Sequence, residues 1–465
     1  MINKNFMDRK LNEECGVFGI YNHKKAVPFT YYGLHALQHR GQEGAGIVSS
    51  DKITLKVKKG EGLVREVFSS NDIEKIDGCH AIGHVRYSTA GGGGIANVQP
   101  FLFNTHLGQL GLAHNGNLVN TNILKQALEI KGSIFQTTSD TEVLAHLIFR
   151  DQSEKFIDRI KNALKQLEGA FAFVMLIEDA LYAALDDKGL RPLSIGRIGE
   201  TYVVASETCA FDVVGAEFVR DVVPGEIIRI NKDGVLSSFY CDTRSHNICS
   251  MEYVYFARPD SDIEGINVHA ARKRMGKTLA IESPVKADVV VGVPDSGISA
   301  AVGFAEQSGI PYEMGLIKNK YSGRTFIEPS QELREIGVKM KLSAVRSLVK
   351  DKSVVLVDDS IVRGTTSKRL VELMKSAGAK EVHFRVSSPE LKNPCFYGVD
   401  FPTHDELISA NGTVAQVAKG MGVDSLAFIT LDGLQKSIGR GIIKGDYSGQ
   451  CVACFNGDYP TKLYK

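Results

Sequence analysis

Four short segments in the first half of the chain carry residue types suited to nucleophilic chemistry. Cys15-Gly16-Val17-Phe18-Gly19-Ile20 follows a charged leader and offers a thiol. A thiol with a free pKa of about 8.5 is only a few per cent thiolate at neutral pH, so it needs a base before it can attack a carbonyl carbon. His84-Val85-Arg86-Tyr87-Ser88-Thr89 offers a guanidinium, His114-Asn115-Gly116 an amide beside a glycine, and Ser139-Asp140-Thr141-Glu142 a carboxylate. Each also has a plain reading when taken alone. A lone cysteine is usually a small buried hydrophobe, Arg86 fits a surface charge, Asn-Gly is a common hairpin turn, and Ser139 fits a helix cap.

The sharpest string lies in the second half: Val354-Val355-Leu356-Val357-Asp358-Asp359-Ser360-Ile361-Val362-Arg363-Gly364-Thr365-Thr366. An apolar strand ends in two acidic residues, and a loop with glycine and two threonines leads into a helix. Loop N–H groups and a helix N-terminus make a cradle for a phosphate. Carboxylates at the C-terminal end of such a strand suit ribose hydroxyls and the Mg²⁺ that travels with a pyrophosphate. A bare Asp-Asp pair alone reads as a solvated strand end. The string is not a P-loop, because Gly-x4-Gly-Lys-Ser/Thr is absent. Gly91 to Gly94 fits a dinucleotide fingerprint loosely, but no buried strand leads into it and no helix follows, so it reads as a loop.

The elements that must position these groups follow from composition and pattern. At 465 residues the chain calls for two domains or more. Hydrophobic residues at 43% can fill ordinary cores, and a net charge of +1 gives no bulk attraction to nucleic acid. The N-terminus lacks a secretory core and no apolar run is long enough to span a bilayer, so a cytosolic setting is expected. Its eight cysteines then point to metal binding or catalysis rather than disulfides. The first half is β-rich, with apolar runs at Leu110 to Ala113, Ala170 to Ile177 and Thr201 to Ala205. Helices are expected over about Thr121 to Glu129 and Asp140 to Phe149. In the second half, Asp288 to Val293, Ser353 to Val357 and Glu381 to Val386 are continuous β-branched runs, as in a parallel sheet buried on both faces. A helix from Thr365 to Ala377, ended by Gly378, completes a strand–helix–strand unit. The boundary is placed near Thr243 to Ile248, giving a leader over 1–14, a first domain over 15–245 and a second over 246–465.

Together and in order, the four N-terminal segments resemble the glutaminase domain of the N-terminal nucleophile amidotransferases, which implies an αββα sandwich. In that family the leader is removed and the cysteine becomes the first residue, so that its own α-amine, with a pKa near 8, serves as base. The resemblance implies Cys15 as nucleophile and Arg86 on the glutamine carboxylate. It gives Asp140 the substrate α-ammonium, and Asn115 with Gly116 the oxyanion hole. The Val354 to Thr366 string resembles the binding motif for phosphoribosyl pyrophosphate (PRPP) in type I phosphoribosyltransferases. This implies PRPP contacts from Asp358, Asp359, Ser360, Arg363, Gly364, Thr365 and Thr366. Val293 to Gly297 resembles that family's pyrophosphate loop, with Ser296, Asp358 and Asp359 near Mg²⁺, and Tyr321 to Ile327 resembles its flexible loop.

Cys451-Val452-Ala453-Cys454 has metal-ligand spacing, weak evidence by itself, and no helix start typical of a redox dithiol is evident there. Both domains in one chain resemble the glutamine phosphoribosylpyrophosphate amidotransferases. Their subgroup with a [4Fe–4S] cluster matches Cys249, Cys395, Cys451 and Cys454, although four thiolates also suit zinc. The resemblance sets that cluster away from both active sites in a structural role. It further implies ammonia transfer inside the protein, the committing step of purine synthesis, feedback by purine nucleotides and a homotetramer. Competing readings are a plain glutaminase or a PRPP-sensing regulator of DNA; the complete PRPP string argues against the first and the near-zero charge against the second.

Overall fold

The computed structural model describes residues 15–87, 94–319, 342–399, 403–439 and 449–464. The leader, Ser88 and Thr89, most of the Gly91 to Gly94 run and the Tyr321 to Ile327 segment lie outside the described residues.

Two antiparallel sheets dominate the first half. One has seven strands and the other six. In the first, the strand Gly16–Tyr21 lies between Thr201–Ala205 and His80–Arg86. In the second, the long strand Gly108–Leu118 lies between Phe101–Thr105 and Gly169–Ile177. Facing side chains from both sheets, Val17, Val48, Ile82, Val174 and Leu181 among them, form one dry layer. Outside the first sheet, the helix Ala26–Ala36 contributes Val27 and Leu34 to a second core. Outside the other sheet, Thr141–Arg150 and Phe156–Leu164 contribute Val143, Leu144, Ile148 and Ile160 to a third. Helix, sheet, sheet and helix are thus four layers, the αββα order expected.

The second half holds a sheet of four parallel strands. Ser353–Asp358 is central, flanked by Val289–Gly292 and Glu381–Val386, with Ser425–Phe428 outermost. Val354 to Val357 are fully buried, as a strand covered on both faces requires. The helix Thr365–Ser376 turns Leu370 and Met374 into the core. Gly378, at φ +98°, supplies the left-handed step beyond it.

The expected elements agree with the observed ones to within a residue or so: Thr121–Ile130, Thr141–Arg150, Gly169–Ile177 and Glu381–Val386. Two expectations need correction. A short helix, Ala453–Asn456, begins just after Cys451, so the cysteine pair does sit at a helix start. Ser139 does not cap its helix as anticipated, since Asp140 occupies the cap position; the Ser139 hydroxyl instead accepts the Thr141 N–H at 3.3 Å.

Candidate functional sites

Cys15 opens the strand Gly16–Tyr21 and is half-buried. Gly16 pairs with Val85, so the next antiparallel step sets Cys15 across from Arg86. The thiol lies 3.5 Å from the Tyr87 carbonyl. Arg86 is 5% exposed at the end of His80–Arg86, so its guanidinium lies in a largely desolvated corner. The second sheet is joined to this corner by His84, whose Nε2 meets the His114 carbonyl at 3.1 Å.

Asn115 follows His114 on the strand Gly108–Leu118. It is wholly buried, and neither its amide nitrogen nor its amide oxygen has a hydrogen-bond partner among the described residues. Burying an amide without a partner costs about 1–3 kcal/mol. Such a group is retained where a ligand completes it. Gly116 beside it has φ +140°, and a Cβ there would stand 2.1 Å from the Ala170 carbonyl, so only glycine fits.

Asp140 precedes the helix Thr141–Arg150 and is buried. The Leu118 N–H donates to Oδ2 at 2.9 Å, and His114 Nδ1 stands 3.4 Å from Oδ1. Burial pushes the carboxyl pKa up, but His114 and these hydrogen bonds outweigh it and hold the group below the usual carboxylate range. The sequence names His114 only as part of a motif; its service to Asp140 emerges from the fold.

The acidic pair of the second half sits where the central strand ends. Asp358 is its last residue, and Asp358, Asp359 and Ser360 are each under 9% exposed. The Asp359 N–H donates to the Asp358 carboxylate at 3.0 Å, and the Ser360 hydroxyl donates to Asp359 at 2.6 Å. The Ser296 hydroxyl, from the loop after Val289–Gly292, donates to the other oxygen of Asp359. Two strand ends thereby converge on one cluster of oxygen donors. Gly364, at φ +75°, begins the helix that Thr365 and Thr366 open. Arg363 pairs with Glu406 at 2.9 Å.

The four cysteines singled out by sequence line one small cavity, together with Leu190, Met251, Tyr397, Val399 and Tyr459. None is in a disulfide. Burial pushes the Cys451 thiol up to about 12 and Cys454 well above its ordinary value, with the neighbouring cysteines adding to both. No group of three or more His, Cys, Asp or Glu is gathered closely enough to hold a metal ion among the described residues. Four thiolates are a donor set that zinc and iron–sulfur clusters share.

The Cys395 loop is not remote from the first half: the Asn117 amide donates to the Phe396 carbonyl at 3.0 Å, and Gly398 packs against Gly116, so the loop rests on the strand that carries Asn115.

Sequence reasoning missed a set of buried charges. Arg40 donates to Glu207 and Glu252, and Arg191 lies 3.6 Å from Glu252. A buried arginine looks like an exposed one in sequence. Gly41, where a Cβ would stand 2.6 Å from the Arg86 backbone, is the nearest local signal.

Comparison with known proteins agrees with this geometry. A family pattern described as a glutamine amidotransferase domain matches residues 84–213, and one described as a phosphoribosyl transferase domain matches 269–393. The chain is 60% identical over 458 residues to amidophosphoribosyltransferase from Bacillus subtilis, covering 98% of this chain and 96% of that one. It is 54% identical to amidophosphoribosyltransferase from Staphylococcus aureus, covering 98% and 92%. A solved B. subtilis structure, glutamine PRPP amidotransferase complexed with ADP and GMP, superposes with a TM-score of 0.93 at 59% identity, covering 97% of this chain and 98% of that one.

Proposed function

The chain belongs to the amidophosphoribosyltransferase family, and from that footing we propose how its residues divide the work. The enzyme uses glutamine and PRPP, in purine biosynthesis, to make phosphoribosylamine, glutamate and pyrophosphate. In our reading 1–14 is a leader, 15–245 the glutaminase and 246–465 the transferase. Removal of the leader leaves Cys15 with a free α-amine that draws the thiol proton.

The thiolate attacks the glutamine carboxamide carbon, and charge collects on its oxygen. The Asn115 amide and the Gly116 N–H receive that oxyanion. Arg86 binds the substrate carboxylate as a bidentate fork, and Asp140, ionised by its surroundings, holds the α-ammonium. Ammonia leaves, and water then hydrolyses the thioester to glutamate. The observation that carries this reading is the buried, unpartnered Asn115 amide.

At the second site ammonia displaces pyrophosphate from the ribosyl carbon. Asp358 and Asp359 bind the ribose side of PRPP. The loop Ser360 to Thr366 receives its 5′-phosphate at the N-terminus of the helix, with Arg363 bordering that loop. Asp358, Asp359 and Ser296 fit Mg²⁺, a hard cation commonly bound by one or two carboxylates plus substrate phosphates. When bound it neutralises charge on the departing pyrophosphate.

Cys249, Cys395, Cys451 and Cys454 fit a [4Fe–4S] cluster, which binds the C-terminal segment into the interface between the two halves. The nucleotides in the B. subtilis structure support purine-nucleotide feedback. Exposed Phe218 and Val219 on an edge strand support assembly, which we take to be a homotetramer. No helix among the described residues is long and apolar enough to cross a membrane.

The test is release of glutamate and pyrophosphate by anaerobically purified protein given glutamine and Mg²⁺, with and without PRPP. Paired release that depends on PRPP upholds the scheme. Glutamate without pyrophosphate would leave a plain glutaminase.

A further inference from the structure

The strand Phe101–Thr105 pairs Phe101 with Leu112, so the same ladder carried two residues back would set Gln99 opposite His114. Pro100 has no N–H to offer, and the strand stops there. The Gln99 side chain takes over: its Oε1 accepts the His114 N–H at 2.7 Å. A main-chain N–H is only a donor, so the amide oxygen must face it and the amide nitrogen must face away. That nitrogen donates to the Thr141 hydroxyl oxygen at 3.1 Å. The Thr141 hydroxyl in turn donates to Asp140 Oδ1 at 3.3 Å. Gln99, His114 and Thr141 are all buried, where water offers no substitute partner.

Both groups joined in this way adjoin the substrate contacts. His114 precedes Asn115 and Gly116, and Thr141 follows Asp140. Gln99 thus bridges the strand Gly108–Leu118 and the start of the helix Thr141–Arg150 from a segment that belongs to neither. That segment is itself fixed by the seven-stranded sheet. A Cβ on Gly46 would stand 2.3 Å from the Gln99 carbonyl, and Lys59 donates to the Val98 carbonyl at 2.7 Å. Beyond Gly116, the Leu118 N–H ties the strand to Asp140 directly. Asn115 and Gly116 are therefore held between two ties to Asp140, one direct and one through Gln99 and Thr141.

We propose that Gln99 is a positioning residue for the glutaminase step, which fixes the separation between the oxyanion donors and Asp140. This rests on the roles given above to Cys15, Asn115, Gly116 and Asp140. Glutamine is held at both ends, its α-ammonium at Asp140 and its carboxamide oxygen at Asn115 and Gly116. The separation of those two anchors decides where the carboxamide carbon comes to lie relative to the thiol. An error of 1 Å in such a placement can cost about 100-fold in rate. Without Gln99 the head of the substrate keeps Arg86 and an Asp140 still held by Leu118 and His114, so binding survives while the reacting carbon is misplaced.

The experiment uses full-length protein, purified without oxygen, as wild type, Gln99→Met, Thr141→Val, Thr141→Ser, the Met/Val double variant and Asn115→Ala. Glutamate release is measured against glutamine concentration with PRPP present, and pyrophosphate release with ammonia as nitrogen source. Gln99→Met keeps the length and volume of the side chain and loses both hydrogen bonds. Its kcat with glutamine falls about 10- to 100-fold, with KM for glutamine and the ammonia-dependent rate little changed. Thr141→Val falls in the same manner, Thr141→Ser retains most of the rate, and the double variant is no worse than the worse single. A wild type that releases no glutamate removes the glutaminase reading itself. Loss in Asn115→Ala with an unchanged kcat in Gln99→Met overturns the proposal alone. So does a Gln99→Met defect confined to KM, an equal loss with glutamine and ammonia, or additive losses in the double variant.

Discussion

At the scale of single residues, the first site holds a buried group whose hydrogen-bonding capacity the described residues leave unmet. Asn115 is buried with neither amide atom partnered. Replacing it with alanine removes an oxyanion donor, and such losses typically lower kcat by about 10²–10³. Asn115→Ala should therefore lose glutamine-dependent activity on that order while ammonia-dependent activity survives; an equal loss with both nitrogen sources would remove the oxyanion role. Asp358 makes the opposite separation. Asp358→Asn removes the charge at the end of the central strand, where it holds the Asp359 N–H. Steady-state kinetics should show a raised PRPP requirement or no transfer, with basal glutaminase still measurable. PRPP kinetics left unchanged would refute the assignment.

At the scale of elements, period and composition made the strands and helices legible. Thr201–Ala205 and the Val354 to Val357 stretch of the central strand are apolar, largely β-branched runs that can do little else, and Thr365–Ser376 carries Leu370 and Met374 at helical spacing. The motifs were legible because loop and strand residues of fixed type recur together. What the sequence hid is long-range. Arg40 and Glu252 stand 212 positions apart, and nothing in either local pattern distinguishes a buried ion from a solvated one. The place of the cysteine cavity was hidden for the same reason, since Leu190 on its wall belongs to the first half of the chain. One turn beside that wall carries a pH signature. Asp186 is fully buried and accepts the N–H groups of Phe171, Lys188 and Leu190. Burial nevertheless raises its pKa to about 7. The unfolded chain releases this proton near pH 4, whereas the folded protein keeps it to about pH 7, so folding stability from this group falls as pH rises between those values. Asp186→Asn does not titrate. Thermal melts from pH 5 to 8 should show the variant gaining on the wild type as pH rises, and a constant difference would mean that Asp186 is ionised throughout.

At the scale of the whole molecule, the two halves are joined more firmly than a flexible linker would join them. Buried ion pairs link Arg40 to Glu252, and the Arg191 guanidinium donates to the Tyr397 carbonyl. The Cys395 loop lies on the Asn115 strand, while the Cys249 N–H donates to the Leu190 carbonyl of the first half at 3.2 Å. The cysteine cavity stands where these contacts meet, and Ala170 and Leu190 of the first half pack with Tyr397, Cys451 and Ala453 of the second. A cluster bound there would hold Cys249, Cys395 and the C-terminal pair at fixed separations, and so hold the Cys395 loop against the strand that carries Asn115. Binding energy of that kind adds to folding energy. The loaded enzyme should therefore unfold in calorimetry as one cooperative unit despite its two domains. Cys451→Ser, purified without oxygen, should lose its iron and its brown absorbance. Its melting should separate into two transitions, the lower one accompanied by loss of glutamine-dependent activity. A colourless wild type containing zinc would replace the iron–sulfur assignment. A Cys451→Ser variant that is iron-free yet melts in one transition at the wild-type temperature would show that the buried ion pairs alone hold the halves together.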